Sequence, residues 1–372
     1  MLVKEITAED RKYWNDFISD HQHGHLYQSY EWGEVLSYDG TKVFRLSAER
    51  GGRLCATMLL VKRRLRPTNL SYFYAPSGPI LDFADRQVLT ALLEKIRCLA
   101  RLHHAVFLRV DPDYPNEDQN VRTSLLNLGF INLPRNWSYH NYPRIVMRLD
   151  LARDEETLLR QMRRKHRQHI RVFDSREITI DAGIHEKNLF EFCQLLQQVG
   201  NRKGFVVREH HYFHQVMDQF VRRGNGRLLL ARQEKEAIAG VLSVTFGNKS
   251  WYLYGASNNQ QRHVHPNERL QWEMIKWAKS RGCISYDFGG TGTDYPVPDD
   301  SERHPLYHYK MGFGASVMYL TGYYDYVFAP MLYRGFRLLE DKVLPWLVRS
   351  IVQCQTLKTW NKSRPEPREA SQ

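Results

Sequence analysis

A lone lysine, Lys310, stands in PLYHYKMGFGAS (305–316), between Tyr307 and Tyr309 on one side and a Gly-Phe-Gly turn on the other. Taken alone it reads as a surface lysine after a loop, yet a cation beside aromatics and glycines raises a question about its purpose. A second group is plainer. Arg163, Arg164, Lys165, Arg167 and Arg171 crowd into nine residues with no carboxylate among them. An isolated charge run is usually a solvated helix face, but uncompensated density of this kind suits contact with phosphates. Other chemistry is missing. There is no G-x-S-x-G, and no cysteine lies near a patterned histidine, so a covalent nucleophile is not expected. DFGG (287–290) lacks the glycine-rich and HRD loops that would make it a kinase triplet. HQHGH (21–25) and REHHYFH (208–214) invite a metal reading, with His210 and His214 four apart. No acidic third ligand is placed by the spacing, so neither metal nor cofactor is expected.

The elements that must hold these residues come as one pattern given twice. RGGRLCATMLLVKRR (50–64) matches RQEKEAIAGVLSVTF (232–246), a polar turn feeding a strand. LSYFYAPSGP (70–79) matches SWYLYGASNN (250–259) as a second strand. RQVLTALLEKIRCLARLHH (86–104) and NERLQWEMIKWAKSRG (267–282) show apolar residues at helical spacing. AVFLRVD (105–111) matches CISYDFG (283–289), and LGFIN (128–132) matches MGFGA (311–315). The order predicts an α/β chain of two mixed-sheet domains, each like the GNAT acyltransferase unit, arising by internal duplication. Domain one is expected over 1–150 and domain two over 151–325. ETLLRQMRRKHRQHIRVF (156–173) reads as one helix, with Leu159, Met162, His166 and Ile170 on a single face and the cations around the rest. Residues 326–360 read as a basic, aromatic helical segment that packs on domain one or rests on an anionic bilayer, and 361–372 as a disordered tail.

Composition agrees. Apolar residues at 42% allow real cores, and a net charge of +12 favours polyanionic partners. Five scattered cysteines read as reduced thiols of a cytoplasmic protein. The first residues, MLVKEITAEDRKYW, do not read as a signal peptide, and no apolar run is long enough to span a bilayer.

Several collinear stretches resemble the Fem family of peptidyltransferases, which use aminoacyl-tRNA to extend the peptide of cell-wall precursors. They are YQSYEWGEV (27–35), YFYAPSGPILD (72–82), FLRVDPD (107–113), MRRKHRQHIR (162–171), NRKGFVVREHHYF (201–213), LYGAS (253–257), LQWEMIKWAKSRGCISYDFGG (270–290) and YKMGFGA (309–315). The resemblance implies that Lys310 is the essential cation near the tRNA acceptor end, with Tyr309 its aromatic neighbour. It implies that Asp111 lies near the acceptor amine. Arg208, Tyr212 and Tyr254 are implied to contact the precursor, as are Trp32 and Gly78 of the first two motifs. The family often has lysine where Leu36 stands and arginine where Ser77 stands. Both departures weaken a direct transfer of the phosphate-binding mode and leave room for a different anchor group or a lipid-linked rather than nucleotide-linked precursor.

An aminoacyl ester is already activated, so an amine can attack it without an enzyme nucleophile. What remains is positioning and stabilisation of the oxyanion. Lys310 suits the second task or pairs with the terminal tRNA phosphate. Asp111 or the leaving oxygen takes the amine proton, and Gly312 and Gly314 let substrate backbone approach. Arg163 through Arg171 are the expected tRNA contacts. The expected partners are aminoacyl-tRNA and a peptidoglycan precursor, lipid II or UDP-MurNAc-pentapeptide. A monomer with peripheral contact at the inner membrane face is expected. The competing readings are an acyl-CoA N-acyltransferase, against which the missing glycine-rich loops speak, and a non-catalytic RNA-binding protein.

Overall fold

A computed structural model describes residues 1–65, 67–133, 144–174, 178–258, 265–290 and 305–340. Fifteen strands among them are β1 Leu2–Glu5, β2 Val43–Arg50, β3 Arg53–Arg64, β4 Ser71–Ala75, β5 Ile80–Leu81, β6 Ala105–Val110, β7 Ile131–Asn132, β8 Ile145–Asp150, β9 Ile178–Asp181, β10 Gly226–Gln233, β11 Glu236–Phe246, β12 Lys249–Ser257, β13 Ser285–Gly290, β14 Ser316–Tyr319 and β15 Tyr324–Val327. The helices are α1 Arg11–Asp20, α2 Tyr30–Ser37, α3 Arg86–Leu102, α4 Gln119–Asn127, α5 Glu155–Gln161, α6 Arg164–Asp174, α7 Glu186–Lys203, α8 His210–Val216, α9 Pro266–Ser280, α10 Pro305–Met311 and α11 Pro330–Leu338.

Two mixed sheets result. One runs β1-β2-β3-β4-β6-β15-β7, with β5 on β3; the other runs β9-β10-β11-β12-β13-β8-β14. The matched segments occupy matched places: β4 runs parallel to β6, and β12 parallel to β13. Each parallel strand pair is joined by a helix with a buried stripe. In α3 the stripe is Val88, Leu89, Leu92, Leu93, Ile96 and Ala100, and Asp85 caps its start by accepting from Val88 N–H. In α9 it includes Leu270, Met274, Ile275 and Ala278. The duplicated GNAT-like α/β fold read from the repeat is therefore the fold observed.

The halves are not simply laid side by side. β8 leaves the first half and inserts between β13 and β14, while β15 inserts between β6 and β7. Each sheet is completed by a strand from the other half. The expected division at 150 thus falls at the far end of a strand that pairs in the second sheet, and the start of the expected C-terminal segment pairs in the first. One apolar core spans the seam, with Trp14, Trp32 and Leu59 of the first half against Phe192, Phe213 and Phe220 of the second. β6 is buried along its whole length, including Arg109. Its guanidinium is matched there by Asp325, which accepts two bonds of 2.7 Å, and by Glu340 at 2.9 Å. A buried cation needs such partners to be tolerated. α11 lies over β6, with Tyr333 edge-on to Phe107 and donating to Asp325. Residues 341–372, including the expected tail, lie outside the described residues. Among the described residues no helix is long and apolar enough to cross a membrane.

Candidate active site

The seam between the sheets opens into a narrow cleft of about 60 Å³, lined by Asp111 and Asp113 from one half and by Arg148, Trp251, Tyr252 and Asp287 among others. Asp111 and Asp113 flank Pro112 just past the end of β6. Tyr74 donates to Asp111 Oδ2 at 2.8 Å, and the Ser77 N–H donates to Oδ1 at 2.7 Å. Ser77 holds φ at +50°, a left-handed backbone that serine adopts at some cost and that belongs to the turn aiming this N–H. Burial dominates at Asp111 and pushes its carboxyl up to about 8 in spite of both donors. Asp113 goes the other way. Burial works upward there too, but Arg148 and His25 outweigh it and hold the carboxyl down at about 2. Two carboxyls two residues apart are thereby separated, one poised near neutrality and one fixed as an anion.

Arg148 arrives on the exchanged strand β8. Its Nη2 donates to Asp113 Oδ1 at 2.6 Å and its Nε to Asp287 Oδ2 at 2.8 Å. Lys310 lies at the end of α10 and is only 4% exposed. Its ammonium donates to the carbonyls of Phe288 and Gly290, both at 2.5 Å, and sits 5.9 Å from the centre of the Tyr252 ring that lines the cleft. Burial pulls its pKa down to about 8, against the opposing charge of Asp287. An ammonium has three donors, so one N–H remains beyond those two carbonyls. The DFGG stretch, set aside in the sequence, is the cradle of this lysine.

The FemAB family pattern matches residues 9–232 and 222–341. The chain belongs to the FemAB family. It is an aminoacyltransferase. It is 25% identical to the lipid II:glycine glycyltransferase of Staphylococcus aureus strain USA300, over 91% of this chain and 95% of that one. In fold it resembles FemX, with a TM-score of 0.80 and 24% identity over 91% of this chain and all of that one (100%). A tandem GNAT protein of the clavulanic acid pathway superposes with a TM-score of 0.55 and 13% identity, over 88% of this chain and 98% of that one.

In this FemAB chain the remaining expected residues fall into separate places. Tyr309 is next to Lys310 in sequence but turns away from it: its hydroxyl donates to Asn267 O at 3.1 Å, and its ring packs edge-on to Phe313. The aromatic beside the ammonium is Tyr252. Gly312 does not open a path for substrate backbone. A Cβ there would lie 2.0 Å from His166 Cε1, so glycine is required for the histidine to pack. Gly314, at φ +85°, serves the turn. The helix expected over 156–173 is broken. Met162 is extended, at φ −62° and ψ +150°, and divides α5 from α6. The break has a partner, because the Arg163 N–H donates to Gly312 O at 2.8 Å and so joins this segment to the Gly-Phe-Gly turn. The expected apolar face persists, with Met162, His166 and Ile170 buried.

Tyr254 and Tyr212 meet through their hydroxyls at 3.2 Å, and the Arg208 guanidinium lies 5.3 Å from the centre of the Tyr212 ring. A bulge on β12, where register shifts between Leu242 and Ser243, sends Tyr254 to this cluster and Tyr252 to the Lys310 side. Trp32 is in the core across the seam, its ring against Tyr27 and Phe220, and is not among the cleft's walls. Gly78 packs on the Gln28 amide, which a Cβ would meet at 2.5 Å. Of the cationic residues, Arg163, Arg164, Lys165 and Arg171 are exposed. Arg167 is half-buried and caps α5 by donating to the Arg160 and Met162 carbonyls. Arg148, Asp113 and Asp287 were not singled out in the sequence. Asp113 stood in the quoted FLRVDPD stretch, but nothing local marked Arg148 as its partner.

Proposed function

We propose that the protein moves an amino acid from aminoacyl-tRNA to the side-chain amine of a peptidoglycan stem peptide, forming a cross-bridge on a lipid-linked precursor. The observation that carries this reading is a cleft walled by Asp111 and Tyr252, with the buried Lys310 ammonium 5.9 Å from the Tyr252 ring centre. The acceptor amine attacks the ester carbonyl, a C–N bond forms, and the ribose oxygen leaves with the electrons of the broken C–O bond. Lys310 stabilises the negative charge on the oxygens through its remaining N–H. Asp111, once ionised, takes the proton that the amine must lose. No enzyme acyl intermediate is needed. The exposed cations of α6 hold the acceptor stem of the tRNA, and Arg208, Tyr212 and Tyr254 hold the precursor. α11, packed on the first sheet, meets the inner face of the membrane. Met331 (86% exposed), Leu332, Leu338 and Leu339 are exposed apolar side chains along and just past this helix. Lys42, Lys62, Arg63 and Arg64 line a neighbouring pocket with Tyr72, whose ring meets Phe336 of α11.

The acyl-CoA reading is disfavoured by what fills the helix starts where a GNAT unit holds pyrophosphate. Glu268 stands in the first turn of α9, and the Asp85 side chain caps α3. Carboxylates at these places repel a diphosphate. The decisive experiment incubates the protein with charged tRNAs and purified lipid-linked precursor and weighs the product. A gain of one amino-acid residue is expected. Acyl transfer from acyl-CoA, with none from aminoacyl-tRNA, would overturn the reading.

A further inference from the structure

Away from the cleft, the fold gathers a second set of donor atoms. His169 lies on α6, and His265 and Glu268 lie at the start of α9. Each offers one ligand atom, and the three atoms lie within 4.8 Å of one another. His169 Nδ1 and Glu268 Oε1 are 2.9 Å apart, and both side chains are only 12% exposed. The His169 and His265 rings stack face to face, with centres 3.3 Å apart and planes 3° from parallel. His265 takes the left-handed backbone, φ +50° and ψ +49°, and that strain is borne at the residue that brings its ring onto His169.

We propose that His169, His265 and Glu268 form a binding site for a single divalent transition metal, with Zn²⁺ the best match, that clamps α6 to α9. Two imidazole nitrogens and one carboxylate are a donor set for zinc or its neighbours. A hard ion such as Mg²⁺ would find one oxygen where it needs several. On binding, the metal takes the place of the hydrogen between His169 Nδ1 and Glu268 Oε1, and the neutral imidazole carries its one N–H on Nε2 instead. The 2.9 Å spacing of these atoms suits two ligands on one ion. The two rings lie face to face, and rotation of the His265 ring about its soft Cβ–Cγ torsion turns the lone pair of its nitrogen toward the ion held by His169 and Glu268. The fourth position is left for water. His166, one turn before His169, donates from Nε2 to the Tyr309 carbonyl beside Lys310 at 3.0 Å. A clamp at His169 therefore stiffens the helix that joins the cationic surface to the lysine's own segment. Sequence spacing gave no hint of the site, because His169 stands 99 residues from its carboxylate partner.

The test uses the full chain, stripped with a chelator and then dialysed against Zn²⁺ or Co²⁺. Elemental analysis is expected to find one tightly held Zn²⁺ per chain. The melting temperature is expected to rise with Zn²⁺ concentration, and the Co²⁺ form to show the visible absorption of a four-coordinate nitrogen–oxygen site. His169→Asn and Glu268→Gln are expected to weaken binding by more than the roughly 10–100-fold typical of losing a supporting group around a metal. The pair His210→Ala and His214→Ala serves as a control and is expected to leave binding unchanged. Circular dichroism of both ligand variants separates lost ligation from lost fold, and the Co²⁺ spectrum of the unmodified chain stands whether or not they fold. An unmodified chain that retains no metal would overturn the proposal, as would a tight equivalent that persists in both ligand variants.

Discussion

Arg148 stands directly opposite Asp287 in the register of β8 and β13, and the equivalent pair in the other sheet, Asp325 opposite Arg109, carries its charges the other way round. If each half kept its own last strand, Arg148 would face Arg109 and Asp325 would face Asp287. Like charges opposed in a buried sheet are strongly unfavourable. The reversed signs therefore specify that the two halves exchange strands.

Arg148 also reaches Asp113, so removing it leaves two buried carboxylates without their cation. Arg148→Met is expected to cost about 3–5 kcal/mol of unfolding free energy, and Arg148→Lys less. Urea denaturation followed by circular dichroism checks this; a loss below about 1 kcal/mol would mean the pair is not holding the seam.

In the proposed reaction Asp111 acts ionised and Lys310 charged, and burial brings both to about 8. Rate should rise with pH as Asp111 loses its proton, then fall as Lys310 loses its own, giving a bell with its top near there. Lys310→Met should lower turnover by roughly 100- to 1,000-fold, and Asp111→Asn by roughly 100- to 10,000-fold. Stability moves oppositely for Asp111→Asn. The folded state raises this carboxyl from 3.8 to about 8, so its contribution is whole below 3.8 and is lost as pH rises to about 8. Asparagine cannot ionise, so the variant's melting temperature should exceed the parent's by a margin that grows from pH 4 to pH 8 and then levels. A margin flat with pH would contradict the buried carboxyl.

Gly312→Ala should destabilise by about 1–3 kcal/mol, because the new methyl collides with the His166 ring. His166→Ala removes the collision, so the double variant should lose less than the two singles summed. A double-mutant cycle with coupling of at least about 0.5 kcal/mol is expected; strict additivity would place the strain elsewhere.

Arg164→Ala and Arg171→Ala should each weaken tRNA binding across sequences and reduce the slope of log affinity against log salt by about 1. Arg167→Ala should act on the melting temperature instead, since its guanidinium is held by the Arg160 carbonyl. Filter binding at several salt concentrations separates the two. Equal slopes in all three variants would remove α6 from the tRNA surface.

Met331→Ser with Leu338→Ser should release the protein from vesicles rich in phosphatidylglycerol, by roughly tenfold or more per apolar side chain lost. Phosphatidylcholine vesicles should bind poorly from the start, since the neighbouring cations are left without a counter-charge. Unchanged sedimentation of the double variant with acidic vesicles would mean that this face meets something other than lipid.

Much of the architecture was readable before any coordinates. Alternation and helical spacing are local, so AVFLRVD and CISYDFG could be paired as strands and their preceding helices matched. Lys310 could be named as a candidate because its motif is contiguous. The kink at Met162 was not, because a run of good helix formers gives way there to a bond with Gly312, far along the chain. Trp32 and Gly78 belong to recognisable motifs, but only packing reveals that one fills the core and the other makes room for Gln28.

The residues by themselves determined the duplication, the α/β units and the cationic stretch, and marked Lys310 as a candidate. Tertiary structure alone decided which half each terminal strand completes, that Arg148 spans two aspartates, and that Asp111 is held near neutrality while Asp113 stays charged. The physical reason is that periodicity acts between neighbours along the chain, whereas charge pairing and desolvation act between groups that only the folded chain brings together.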